Sequence, residues 1–200
     1  MIVTTFDTET TGLLKHPYAR VIEIGLVKHD IETGEIIDTS SFLVKPQEQM
    51  IPLLDFSIPL KICGITKDEI MDTGIPYREA MWKMCDFIGR DLLWAWNLPF
   101  DMRMIMRFIE DGHFYGDKDD ISHLEWTRHL RWGGCWQNLY AWSNVKNGLA
   151  SRFNDGNIKT ISMAKTMKIE GWEGEQQHRA LGDALLAAKI GHKLFNQLNK

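Results

Sequence analysis

Two carboxylates stand two residues apart near the start of the chain, in Phe6-Asp7-Thr8-Glu9-Thr10-Thr11-Gly12-Leu13. They close a β-branched and aromatic run, Ile2 to Phe6, that reads as a buried strand. On an extended segment this spacing points both side chains to one face. Two such carboxylates repel, and burial raises the cost. A divalent cation removes that penalty, and magnesium is commonly held by a few carboxylates together with waters and phosphate oxygens. Two further groups share this chemistry. Asp101, in Asn97-Leu98-Pro99-Phe100-Asp101, falls in the first turn of an expected helix, where the helix dipole favours an acid. In His178-Arg179-Ala180-Leu181-Gly182-Asp183, a final helix beginning near Arg179 leaves His178 in the preceding loop and Asp183 about one turn in. Taken singly, each has an ordinary explanation: a solvated strand end, an N-terminal helix acid, a chance His and Asp.

The elements that must position these groups follow from periodicity and punctuation. After the first strand, Val21 to Val27 and Ile36 to Val44 read as two more, joined by a turn at Glu32-Thr33-Gly34-Glu35 into an antiparallel meander that Lys45-Pro46 ends. Leu53 to Lys61 contains Pro59 and permits at most a short helix. Thr66 caps a helix over Lys67 to Asp72, with Glu69 at the capping-box position. Met81, Trp82, Cys85 and Ile88 give helical spacing to Tyr77–Gly89, and Leu92 to Trp96 reads as a buried strand. Phe100 to Glu110 is helical with Gly112 as its stop, and Ala180 to Leu198 is an amphipathic helix. Strands first, then alternating helix and strand, predict an α/β fold with a mixed sheet and flanking helices. Residues 112–157 predict short helices and loops.

Bulk composition narrows the class. Two hundred residues suit one domain, and 44% hydrophobic with 25% charged residues is ordinary globular composition. No apolar run approaches the roughly 20 residues that cross a bilayer, and the N-terminus carries no secretion signal. Cys63, Cys85 and Cys135 form neither a disulfide framework nor a zinc pattern, so the expected compartment is the cytoplasm. A net charge of −4 disfavours a protein that simply coats nucleic acid.

In order and placement, Asp-x-Glu on a first strand, Asn-x-x-Phe-Asp opening a mid-chain helix and His-x-Ala-x-x-Asp opening the last helix resemble the three motifs of the DnaQ-like (DEDDh) 3′–5′ exonuclease superfamily. Its members include exonuclease X, ribonuclease T, oligoribonuclease and the proofreading epsilon subunit of DNA polymerase III. Val21-Ile22-Glu23-Ile24-Gly25 and Cys63-Gly64-Ile65-Thr66 extend the likeness, which covers residues 1–110 and 158–195. Two departures stand out: Trp96 and Cys63 occupy places where the family often has His, neither of them a metal ligand there.

The resemblance implies a ribonuclease H-like fold and two-metal hydrolysis releasing nucleoside 5′-monophosphates from the 3′ end of nucleic acid, single-stranded DNA foremost. Asp7, Glu9, Asp101 and Asp183 would hold two Mg2+ or Mn2+ ions, Asp7 bridging them, and His178 would be the general base. Thr8, Thr10, Leu13, Asn97 and Phe100 would contact the substrate. For Thr10 a turn cap, and for Leu13 and Phe100 core packing, stand as equal alternatives, and Glu23 is expected to be structural. An RNA exonuclease of the oligoribonuclease or ribonuclease T kind, or a non-catalytic nucleic-acid-binding module on the same fold, are the alternative functions. Only 17 residues follow Asp183, which favours a stand-alone enzyme resembling exonuclease X; a polymerase partner is not indicated and the oligomeric state is open.

From Trp126 to Ile169, seven basic residues (Arg128, Arg131, Lys146, Arg152, Lys159, Lys165, Lys168) face one acid, Asp155, a local charge of +6 among Trp132, Trp136, Tyr140 and Trp142. Such a segment can grip a single strand, cations on phosphates and rings on bases. Equally, its rings can pack on the sheet and leave a solvated basic face. His113, His123 and His129 lack ligand spacing.

Overall fold

The β-branched N-terminal run forms the centre of the sheet. In the computed structural model, which describes residues 1–115, 130–145, 151–154, 157–172, 176 and 178–199 (backbone alone for 110–115), β1 spans Ile2–Thr10. It pairs antiparallel with β2 (Val21–Asp30), which pairs antiparallel with β3 (Ile36–Lys45). On its other side β1 pairs in parallel with β5 (Leu92–Ala95). A two-residue β4 (Ile75–Pro76) and β6 (Arg131–Cys135) close the edges, giving the order β4-β3-β2-β1-β5-β6. Among the described residues seven α-helices flank this mixed sheet: α1 (Ser57–Cys63), α2 (Lys67–Thr73), α3 (Tyr77–Ile88), α4 (Leu98–Tyr115), α5 (Trp136–Val145), α6 (Met163–Glu170) and α7 (Ala180–Leu198). Among the described residues no helix is long and apolar enough to cross a membrane.

Alternation along β1 sorts its side chains between two layers. Phe6 joins Ile24, Leu26, Leu93 and Ala95 under α3 and α4, whose Met81, Met84, Met104 and Phe108 fill that core. Val3 faces the other way, with Trp136 and Tyr140 of α5 and Ile190 and Leu194 of α7. Asp7 and Glu9 share the parity of Val3 and lie on the α7 side; Thr8 lies on the α4 side. Parallel β1, β5 and β6 end at one edge of the sheet, where open α/β sheets place their ligands.

The expected meander, the capped helix α2 and the final helix are all present, with Thr66 accepting from the Glu69 N–H. Two expectations fail. Gly112 does not stop α4, whose backbone stays helical to Tyr115; a mid-helix glycine costs only about 1 kcal/mol. Residues 131–145, expected as short helices and loops, supply a parallel strand and a ten-residue helix. Gly133-Gly134 reads as a loop, yet the glycines serve packing. A Cβ at Gly133 would lie 2.4 Å from Trp94 Nε1, and one at Gly134 would lie 2.3 Å from Trp94 Cζ3. Trp94 in turn stacks on Trp136 at 3.9 Å between centroids. The helix α6, capped by Ser162, has no counterpart among the elements expected from sequence. Trp126, Arg128, Lys146, Asp155, His123, His129 and the side chain of His113 lie outside the described residues.

Candidate active site

The last turn of β1 register sets the site. Asp7 pairs with Gly25 and Glu9 with Glu23 across the β1–β2 ladder. Gly25 has no side chain for a reason: a Cβ there would sit 2.2 Å from the Ala180 carbonyl carbon and 2.3 Å from the Leu181 nitrogen. The first turn of α7 therefore lies directly on β2, and Asp183, one turn in, reaches β1. Ligand oxygens of Asp7, Glu9 and Asp183 all lie within 4.8 Å of one another. Trp136 supports the same placement further along α7, packing against Gly191, where a Cβ would meet the indole at 2.6 Å.

Asp101 stands beside this trio rather than within its 4.8 Å limit. The Asn97 carbonyl accepts from the Phe100 and Asp101 N–H groups as α4 opens. Thr8, turned to the α4 side, donates its hydroxyl to Asp101 Oδ1 at 2.8 Å. The buried Thr8 side chain, expected at the substrate, is thus engaged in orienting an acid. Asp183 Oδ2 accepts from Gln176 Nε2 at 2.6 Å, whereas its buried Oδ1 has no partner among the described residues. His178 precedes α7 in a left-handed conformation, φ 50°, and is exposed. Burial holds the Asp183 carboxyl above its usual range, opposed by the Gln176 hydrogen bond and by the neighbouring His178.

Electrostatics mark the cluster as unstable by itself. Burial, then the charges of Asp101, Asp183 and Glu9, hold the Asp7 carboxyl well above the usual range. Glu9 is pushed up to about 8 by burial and by Asp183 and Glu23, against a hydrogen bond from Cys63. Burial lifts Asp101 to about 7 despite the Thr8 hydrogen bonds. An orphaned buried oxygen and several crowded carboxylates are what an oxygen-preferring divalent cation relieves, so the donor set fits one.

A stability effect follows. Folded Glu9 and Asp101 hold protons up to about 8 and about 7 that the unfolded chain releases near 4.5 and 3.8. Their favourable contribution is complete at low pH and disappears as pH rises through those folded values. His29 acts oppositely: burial holds it down to about 4 from 6.5, so the contribution of its neutral folded form fades as pH falls through that interval. Above about pH 6.5 the His29 contribution is already complete while that of Glu9 and Asp101 is being lost, so without divalent cation the melting temperature falls from about pH 6.5 to 8.5. Saturating Mg2+ raises it more at the upper end, where fewer protons compete. Thermal melts check this; a flat profile, or equal cation increments at both ends, contradicts it.

The remaining expected contacts divide. Thr10 donates to the Gly12 carbonyl at 2.8 Å, a turn contact, and Phe100 packs half-buried on the α3/α4 core. Leu13 is 59% exposed. Asn97 is also exposed. Arg107 of α4 donates to the Leu14 and His16 carbonyls at 2.7 and 3.0 Å, fixing the loop that carries Leu13. Nothing in the sequence singles out Gln176, and Cys63 stands out only at a place where the family often has His.

Comparison with known proteins gives a consistent picture. A family model described as exonuclease matches residues 4–107. The DNA polymerase III PolC-type of Clostridium perfringens is 35% identical over 197 residues, 98% of this chain but 11% of that protein. DNA polymerase III subunit epsilon of Rickettsia prowazekii is 26% identical over 186 residues, 92% of this chain and 69% of that one. Escherichia coli exonuclease I, solved in complex with a dT13 oligonucleotide, superposes with a TM-score of 0.72 at 18% identity, over 99% of this chain and 43% of that chain.

Proposed function

Because the chain belongs to the exonuclease family, we propose that it hydrolyses nucleic acid from the 3′ end, releasing nucleoside 5′-monophosphates with Mg2+ or Mn2+ bound at its carboxylate cluster. The observation that carries this reading is the convergence of Asp7, Glu9 and Asp183 within 4.8 Å, with one buried Asp183 oxygen unpartnered. Asp101 and His178 flank them. The four acids would hold two ions, which when bound offset phosphate charge and make water more acidic.

The chain's own groups divide the remaining work. His178, on an exposed loop, takes the proton of the attacking water. The water oxygen bonds to phosphorus, the P–O3′ bond breaks, and the leaving oxygen takes a proton from solvent to become the 3′-hydroxyl of the penultimate nucleotide. Thr8 keeps Asp101 aimed at the cluster. Leu13, 59% exposed, would pack on the terminal base, and Asn97, Phe100 and Thr10 would contact the substrate strand. The names of the relatives and the oligonucleotide in the exonuclease I complex favour single-stranded DNA as substrate. Three free cysteines accord with the cytoplasm.

A product ladder on 5′-labelled single-stranded DNA, duplex DNA and RNA of one sequence tests the proposal. The expected result is stepwise shortening from the 3′ end, fastest on single-stranded DNA and abolished by chelator. Faster shortening of RNA would select the ribonuclease alternative, and chelator-insensitive binding without shortening would select the binding module. His178→Ala is expected to fold normally, because the side chain is exposed, and to lose about 100- to 10,000-fold in kcat. Single-turnover release from a 3′-labelled strand measures this.

A further inference from the structure

Glu23 is a charged residue with 3% exposure on β2, directly across the ladder from Glu9. By position it could pass for a further ligand acid. Its oxygens are engaged elsewhere. Arg179 Nε donates to Oε1 and Oε2 at 3.0 and 3.1 Å, and Nη2 donates to Oε1 at 2.7 Å. The Ala180 N–H donates to Oε2 at 2.9 Å. Glu23 therefore supplies from β2 the side-chain N-cap acceptor that α7 does not provide for itself, since the Arg179 side chain at the N-cap makes no capping bond.

Arg179 is held at both ends. Its guanidinium is fastened to β2 and lies 3.7 Å from Glu69 of α2, while its carbonyl accepts the Asp183 N–H at 3.0 Å. One residue earlier the chain takes its left-handed step at His178, and Arg179 itself is extended (φ −130°, ψ 136°) before the helix begins. A left-handed non-glycine residue persists only where its surroundings over-determine it. The planar fork of arginine on a buried carboxylate is a contact of that kind.

We infer that Glu23 and Arg179 are a positioning pair: touching neither substrate nor cation, they lock the His178 loop and the first turn of α7 so that base and Asp183 meet the β1 acids. This rests on the proposed function for the roles of His178 and Asp183. The lock itself is a property of the fold and is testable apart from it.

Glu23→Gln, which keeps size and the Ala180 bond, and Arg179→Lys, which keeps charge but not the fork, are compared with the native chain. Three readouts are needed: Mn2+ affinity by calorimetric titration, amide exchange at Ala180–Asp183 in the metal-free protein, and kcat and KM on a 3′-labelled oligonucleotide. Mn2+ affinity and kcat should each fall about 10- to 100-fold in Glu23→Gln, KM changing less than about 3-fold, with Arg179→Lys intermediate. Amide exchange at the start of α7 should accelerate while that of β1 and β2 stays native. If Glu23→Gln does not fold, the half-exposed Arg179→Lys carries the test. Native Mn2+ affinity, exchange and kcat in a folded variant would overturn the inference, as would a lowered melting temperature with those three unchanged. If the native chain binds Mn2+ but releases no nucleotide, the functional reading fails; the lock is then judged by affinity and exchange alone.

Discussion

Asp7→Asn is expected to raise the melting temperature of the metal-free protein at pH 8 while removing at least about 1,000-fold of nucleotide release, or some 4 kcal/mol of transition-state stabilisation. Both halves come from one feature. Asp7 lies among Asp101, Asp183 and Glu9, and burial together with those charges lifts its carboxyl well above the usual range. Ionising it in the folded state is therefore costly, and an isosteric amide removes that cost. The same amide lacks the charge through which the residue would hold a cation. Stability and activity moving in opposite directions is the signature of a site strained for function. A general loss of structure would lower both. Thermal melts in chelator and single-turnover release decide the matter; unchanged release, or a lowered melting temperature, contradicts the assignment of Asp7.

The second large effect concerns a residue without chemistry. In Gly25→Ala the new methyl would lie 2.2 to 2.4 Å from the Ala180 carbonyl and the Leu181 nitrogen. These are backbone atoms and have no rotamer to retreat into, so the start of α7 must move off β2. Overpacking of this kind costs about 1–3 kcal/mol, and the contact here is shorter than most. The displacement carries Asp183 away from Asp7 and Glu9, and a shift of roughly 1 Å at a reacting centre costs on the order of 100-fold. Gly25→Ala should therefore lose both stability and kcat, and should bind Mn2+ weakly. A variant with native melting temperature and native Mn2+ affinity would show that the close approach of α7 to β2 does not set the site.

The five candidate residues are legible in sequence as three short motifs at fixed local offsets, and it is their order and placement together that carry the resemblance. Asp7 and Glu9 ride a two-residue alternation, Asp101 follows a strand into a first helical turn, and His178 and Asp183 bracket a helix start. What holds them was not legible in the same way. The Arg179–Glu23 pair spans 156 positions and the Thr8–Asp101 bond 93, and no spacing rule reaches so far. Glu23 was expected to be structural, and its bonds to Arg179 and Ala180 give that expectation a content. Strand β6 is hidden for a related reason: Gly133-Gly134 falls in a stretch that reads as short helices and loops, and its strand role follows from Trp94 lying against it.

The tryptophan-rich segment illustrates the same limit. Trp136 and Tyr140 are buried against α7, and Trp132 is partly buried in β6, so most of the described rings pack rather than face solvent. Trp142 and Phe153 are about half exposed (49% and 53%), Phe153 under the Lys159 ammonium at 5.0 Å. Composition alone could not divide rings that build the fold from rings left for a strand.

The central claim is that the clustered acids and His178 remove nucleotides from a 3′ end with a divalent cation. Its most direct test is release of labelled mononucleotide from a 3′-labelled single-stranded oligonucleotide, native chain against Asp7→Asn, with Mn2+ and with chelator. The expected result is nucleoside 5′-monophosphate from the native chain with Mn2+ only, and at most trace release from the variant. Equal release by the two proteins, or release by the native chain that chelator leaves untouched, would contradict it.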